Sequence, residues 1–174
     1  MLKKDIEKDL QQYINEHLKM QFFCYNLSSA AEKLGFPGFS HYFQVQAQDE
    51  VLHQRRIMNF VSERDGHYEV KNIVEEYHDI KNITELMEIY QTKRAYFADL
   101  TNKLAHHAQE VGDLVTYKFY DWFVIDFYEE LAEIKDIVDW IKMSNNTYYN
   151  IDHKMGAKEE PDTLTVIDPF SPHA

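Results

Sequence analysis

Apolar and aromatic residues recur with alternating steps of three and four residues along four long segments of the chain. This spacing is the period of an α-helix with one buried face, and each stripe is narrow enough for packing in a helix bundle. The stripes, in chain order, are Leu10, Ile14, His17, Gln21, Cys24, Ser28, Ala31; Phe39, Phe43, Gln46, Glu50, His53, Ile57, Phe60; Ile83, Met87, Tyr90, Arg94, Phe97, Thr101, Leu104, Ala108; and Tyr120, Phe123, Phe127, Glu130, Ile134, Ile137, Ile141. The pattern predicts an all-α fold built on four long amphipathic helices.

Helix breakers set the expected boundaries. The first helix is expected to end at the tight turn Gly35–Gly38, and Asn82 or Thr84 is a suitable N-cap for the third. The expected ranges are about Lys4 to Leu34, Phe39 to Glu63, Asn82 to Gly112, and Leu114 to Met143.

The connections predict the topology. The first and second helices, and likewise the third and fourth, are joined by short turns and should form antiparallel hairpins, whereas residues 67–81 form a long crossover. A short apolar segment at Tyr148–Met155 predicts a fifth helix. We therefore expect residues 1–155 to form a four-helix bundle with a long crossover between the second and third helices, plus a short fifth helix. The proline-containing tail, residues 156–174, is expected to be extended or loosely held.

Composition narrows the class of protein. A chain of 174 residues suits one domain, and its net charge of −12 without a basic cluster argues against nucleic-acid binding. A single cysteine, Cys24, favours a reducing compartment. Because the N-terminus is too polar for a signal peptide and no apolar run nears the roughly 20 residues that span a bilayer, we expect a cytoplasmic protein without a membrane segment.

Each stripe carries a polar residue near its middle. These are His17, then Glu50 with His53, then Arg94, and then Glu130. Buried carboxylates and imidazoles are costly unless they are paired, hydrogen-bonded or bound to a metal. Glu50 and His53 are three positions apart on one helix face, so both can reach one cation, and His17 can add a second nitrogen donor. Carboxylate with imidazole suits iron, zinc or manganese.

Arg94 supports an alternative. A guanidinium stays protonated and has no lone pair for a metal, so Arg94 could instead neutralise Glu50 and Glu130 in a metal-free ion-pair network. Phe127 also fills an inward position where a polar ligand would stand. The stripes leave two possibilities open: a single-metal site at His17, Glu50 and His53, or a polar layer of these residues with Arg94 and Glu130 that holds no metal. A two-metal site would need another carboxylate near Arg94.

The chain resembles the bacterial non-haem ferritins over about residues 1–155. The resemblance rests on the helix lengths, the crossover, the fifth helix, and the segments Ala47–His53, Leu104–His106 and Asp126–Glu130. It implies a hollow shell of 24 subunits, most simply a homo-oligomer, that oxidises ferrous iron and stores the ferric mineral inside. Such a shell can also include a second ferritin subunit type.

The resemblance also implies roles for individual residues. Glu50 matches the bridging carboxylate of the iron centre, His53 matches its histidine ligand, and Glu130 matches a ligand of the second iron. The acidic third iron site of the family corresponds to Asp49, Asp126, Glu129 and Glu130, with aspartate twice in place of glutamate.

Four residues depart from the pattern of the family. His17 and Arg94 stand where the family has glutamates, Cys24 stands in place of a tyrosine, and Phe127 replaces a polar residue. We therefore expect an iron-binding cage protein with a degenerate ferroxidase centre of His17, Glu50 and His53, where zinc or manganese can substitute for iron. The alternatives are a non-enzymatic cage subunit with a metal-free layer centred on Arg94 and, less favoured by the crossover and fifth helix, a helical bundle with an unrelated role.

Overall fold

A computed structural model describes residues 1–75, 78–161 and 167–171. Its helices are α1 (Lys4–Lys33), α2 (Pro37–Glu63), α3 (Ile83–Glu110), α4 (Leu114–Met143) and α5 (Tyr149–Met155). The described parts contain no β-strand. All five predicted helices are present, and residues 67–75 and 78–81 of the crossover have no regular secondary structure. None of the described helices carries an apolar stretch long enough to cross a bilayer.

The turn between α1 and α2 is shorter than predicted. Gly35 takes a φ of +86°, and the N–H of Phe36 donates to the carbonyl of Ala31 at 2.9 Å. This is the Schellman arrangement, in which a left-handed glycine closes the end of a helix. Pro37 then occupies the first turn of α2, where its fixed φ fits and its missing N–H costs nothing. The expectation that the turn extends through Gly38 is therefore wrong.

Side-chain caps fix the starts of α3 and α4. Of the two predicted caps for α3, Asn82 is the one used, and its side chain accepts a hydrogen bond from the Glu85 N–H at 2.9 Å. Asp113 caps α4 in the same way through the Thr116 N–H at 3.1 Å. Each contact satisfies an N–H that has no partner within its own helix.

The chain divides into two compact units. The first contains Met1–Asp79 and Asp152–Ser171, and in it α1 packs along α2. The second contains Ile80–Ile151, and in it α3 packs along α4. Every residue of the predicted stripes on α2 and α3 is buried, as are all those on α1 and α4 except Gln21 and Glu130, which are half-buried. The stripes therefore identify the buried faces of the four long helices.

Asp152 joins the short C-terminal helix to the start of α2. Its carboxylate accepts hydrogen bonds from the N–H groups of Gly38 at 3.1 Å and Phe39 at 3.0 Å. A carboxylate is favoured there because the N-terminus of a helix carries partial positive charge. A Cβ at position 38 would lie 1.7 Å from the Asp152 carbonyl oxygen, so only glycine permits this approach.

Part of the tail is held by a buried arginine. Arg56 on α2 is 1% exposed, and its guanidinium donates to the carbonyl oxygens of Asp168, Pro169 and Ser171. The Asn59 side chain donates to the Ile167 carbonyl at 3.2 Å. Residues 167–171 are thus attached to α2, so of the two expectations for the tail, extended or loosely held, the second does not apply to these residues. The expectation for residues 162–166 and 172–174 lies outside the described residues.

Replacing Arg56 with glutamine should lower the free energy of unfolding by about 2–3 kcal/mol, because hydrogen bonds from a charged donor contribute more than neutral ones. Arg55→Gln is the matched control, since Arg55 lies on the same helix but is exposed. Denaturant midpoints measured on both variants check this expectation. Equal midpoints would show that the tail contact contributes no stability.

Candidate metal centre

Three buried side chains meet in the first unit. His17 comes from α1 and Glu50 and His53 come from α2, and all three are fully buried. One ligand atom from each lies within 4.8 Å of the other two. The structure therefore brings together the three residues that helical spacing placed on facing stripes.

Glu50 is the central member of this group. Its Oε2 lies 2.6 Å from Nδ1 of His17 and 3.9 Å from Nδ1 of His53. The His17 and His53 rings meet edge to face with centroids 5.3 Å apart, and Tyr13 packs edge to face on His17 at 4.6 Å. The ring contacts restrict how either imidazole can turn, so the nitrogen donors are held near Glu50.

Gln54 is a contact of this site that sequence reasoning missed. Its buried amide donates to the backbone carbonyl of His17 at 3.3 Å and to the Gln21 side chain at 2.9 Å. These bonds link α1 and α2 at the level of His17. In the sequence, Gln54 is only a polar residue that follows His53. Many exposed residues are also polar, so the sequence does not indicate that Gln54 is buried.

The donor set fits a first-row transition metal. Two imidazoles and one carboxylate form the combination typical of mononuclear iron sites that keep coordination positions open for other molecules. The same donors also accept zinc or manganese. Because these three side chains are buried, a bound cation would offset the cost of burying a charged Glu50.

Arg94 is a buried charged residue of the second unit, and its guanidinium contacts polar and aromatic side chains. Its Nη1 lies 3.4 Å from Oε2 of Glu130, and its Nε donates to the Tyr90 hydroxyl at 3.0 Å. The guanidinium also lies over the Phe127 ring, 5.7 Å from its centroid. Arg94 is fully buried and Glu130 is 12% exposed. The predicted pairing of Arg94 with Glu130 is therefore present, and this contact places a positive charge beside one of the predicted metal ligands.

The residues assigned to a third iron site remain a prediction. On α4, Asp126 and Glu130 are half-buried and Glu129 is exposed, while Asp49 is half-buried on α2. In the described part of the chain, the group of three donors that lies together is His17, Glu50 and His53. Cys24 is buried, as its stripe position predicts.

A family model of the ferritin-like domain matches residues 7–144. Among curated proteins, the bacterial non-heme ferritin of Campylobacter jejuni is 24% identical over 143 residues, which are 82% of this chain and 86% of the relative. That of Staphylococcus haemolyticus is 23% identical over 163 residues, covering 88% of this chain and 96% of the relative.

The comparison with solved structures also finds ferritins. An engineered closed form of Archaeoglobus fulgidus ferritin matches with a TM-score of 0.89 and 22% identity, over 92% of this chain and all of that chain. The open-pore ferritin of the same archaeon matches with a TM-score of 0.88 and 22% identity, over 91% of this chain and all of that one. These likenesses confirm the predicted all-α fold, a four-helix bundle with a short C-terminal helix.

Proposed function

The chain belongs to the ferritin-like family, and on that premise we propose that it binds Fe(II) and takes part in iron storage. The observation that carries this proposal is the buried group of His17, Glu50 and His53, with one ligand atom from each within 4.8 Å of the others. Two imidazoles and one carboxylate held this close together form a donor set that suits Fe(II).

Fe(II) is the substrate in this proposal. Glu50 supplies the negative charge that attracts it, and His17 and His53 supply neutral nitrogen donors. Fe(II) bound there would give one electron to dioxygen, which is reduced to superoxide, and the iron would leave as Fe(III) for storage. By the resemblance to bacterial ferritins, Arg94 replaces a ligating glutamate and Phe127 replaces a polar residue, so binding of a second iron is expected to be weak. The expected activity is therefore a slow ferroxidase with Glu50, His53 and His17 as its catalytic residues.

A cage of identical subunits completes the proposal. Large apolar side chains are exposed on three of the long helices, which suits contacts between copies. They include Phe22, Tyr25, Tyr96, Ile125 and Tyr128. A 24-subunit shell follows from the family alone, and a second, active subunit type is compatible with it. Asp126 and Glu129 on α4, with Asp49 on α2, are the acidic residues proposed to bind or nucleate iron.

One observation favours a second candidate function. The Arg94–Glu130 contact in the second unit is part of the ion-pair network expected of a non-enzymatic cage subunit. The 2.6 Å contact between His17 and Glu50 can likewise be a hydrogen bond that needs no metal. In that case the polar residues of the stripes only stabilise the fold, and iron binds to exposed acidic side chains or to a partner subunit.

Aerobic oxidation of Fe(II) separates the two functions. With the purified protein under air, we expect Fe(III) to form faster than in a protein-free control that contains the same Fe(II) and oxygen. The absorbance of the ferric product measures the rate. A rate equal to the control would favour the non-enzymatic subunit.

A further inference from the structure

His53 lies between two carboxylates of its own helix. Its Nδ1 is 3.9 Å from Oε2 of Glu50, and its Nε2 is 3.7 Å from Oδ2 of Asp49. Asp49 precedes His53 by four positions and Glu50 precedes it by three, so both reach the same helix face. The two ring nitrogens therefore face two different acids.

The two acids differ in their surroundings. The Glu50 side chain is fully buried and contacts His17, whereas the Asp49 side chain is 24% exposed. The nitrogen that faces Glu50 is thus directed to the candidate metal centre, and the nitrogen that faces Asp49 is directed away from it. Nδ1 of His53 is therefore the nitrogen that can bind a metal together with Glu50.

A neutral imidazole has a lone pair on one nitrogen and a hydrogen on the other. When a carboxylate accepts that hydrogen, it fixes the tautomer, orients the ring and makes the ligating nitrogen more basic. We propose that Asp49 is a positioning residue that accepts the Nε2–H of His53 and so holds Nδ1 ready for the metal. The 3.7 Å separation is longer than a hydrogen bond, so this role requires the partly exposed Asp49 side chain to move closer when the metal binds.

This role differs from that of a ligand in a third iron site. A third-site ligand would act on a separate metal and leave the metal at His53 unchanged. A positioning residue changes the affinity and the ligand field of the metal that His53 binds. The inference rests on the proposed function, because it requires that His53 be a ligand.

Co(II) bound to the full-length protein is a suitable probe, since its visible absorption bands report the ligands. The band that His53→Ala abolishes belongs to the candidate centre. We expect Asp49→Ala to weaken Co(II) binding in that band by about 10- to 100-fold and to shift the band. We expect Asp49→Glu to keep the Co(II) affinity and the band position of the wild type, because a glutamate at this position reaches the same nitrogen of His53.

Glu63→Ala is the matched control, since it removes the same charge from an exposed position of α2. It should leave the affinity and the band as in the wild type. If Asp49→Ala behaves like Glu63→Ala while His53→Ala loses the band, the positioning role is overturned and the proposed function stands. If His53→Ala binds Co(II) like the wild type, the proposed function fails, and this inference fails with it.

Discussion

Replacing Arg94 with glutamate should raise the rate of aerobic Fe(II) oxidation by about tenfold or more, which corresponds to about 1.4 kcal/mol in the barrier. By the resemblance to bacterial ferritins, Arg94 stands where those proteins have a ligating glutamate, and its Nη1 lies 3.4 Å from Oε2 of Glu130. The substitution removes this cation and supplies a carboxylate of the type that a second Fe(II) requires. Stopped-flow absorbance of the ferric product measures the change.

The same variant should be less stable without metal. Breaking a buried ion pair by removing one partner typically costs about 3–5 kcal/mol, and here two carboxylates would then face each other. A bound divalent cation should recover the stability, because it binds the folded state.

Arg94→Gln serves as the control for both effects, because it removes the positive charge without adding a ligand. If Arg94→Glu oxidises Fe(II) no faster than the wild type or Arg94→Gln, then Arg94 does not block a second metal position.

Replacing His53 with alanine should weaken Fe(II) binding by more than about 100-fold. Loss of a residue that only hydrogen-bonds to a metal ligand typically costs about 10- to 100-fold in affinity, and here a direct ligand is removed. Only His17 and Glu50 would then remain of the group, and two donors hold a divalent cation poorly. The free energy of unfolding should fall by about 2–4 kcal/mol at most, through the cavity left in the core. Equilibrium binding and denaturant midpoints measure the two effects separately.

The control for this variant is His106→Ala. His106 is 69% exposed on α3 and lies 3.2 Å from Glu110, so its loss should change neither quantity by much. A purely structural His53 would give the stability change with no change in metal binding.

The centre of each hairpin could be predicted from the sequence because helical geometry is local. Glu50 and His53 share one helix face by their spacing alone, and Arg94 lies on its stripe between Tyr90 and Phe97. The period that identifies the apolar face also identifies which polar residues it carries, and the structure buries His17, Glu50, His53 and Arg94 as expected. The starts of α3 and α4 follow from local capping chemistry in the same way.

Contacts between residues far apart in the chain could not be predicted. Arg56 lies off the stripe, and its partners are more than 100 positions later, so no periodicity links them. Gln54 donates to a backbone carbonyl, which any residue at position 17 would provide. The approach of Asp152 to Gly38 likewise depends on how the chain returns to α2. Such contacts arise from tertiary packing, which spacing alone does not specify.

Anaerobic titration of the wild type and His53→Ala with Fe(II), side by side, tests the central claim most directly. Without oxygen, binding is measured apart from oxidation, and the number of tightly bound Fe(II) ions per chain can be counted. We predict about one such ion per wild-type chain at His17, Glu50 and His53, and none at that affinity in His53→Ala. The same count in both proteins, or no tight binding in the wild type, would contradict the assignment of these residues as an iron site.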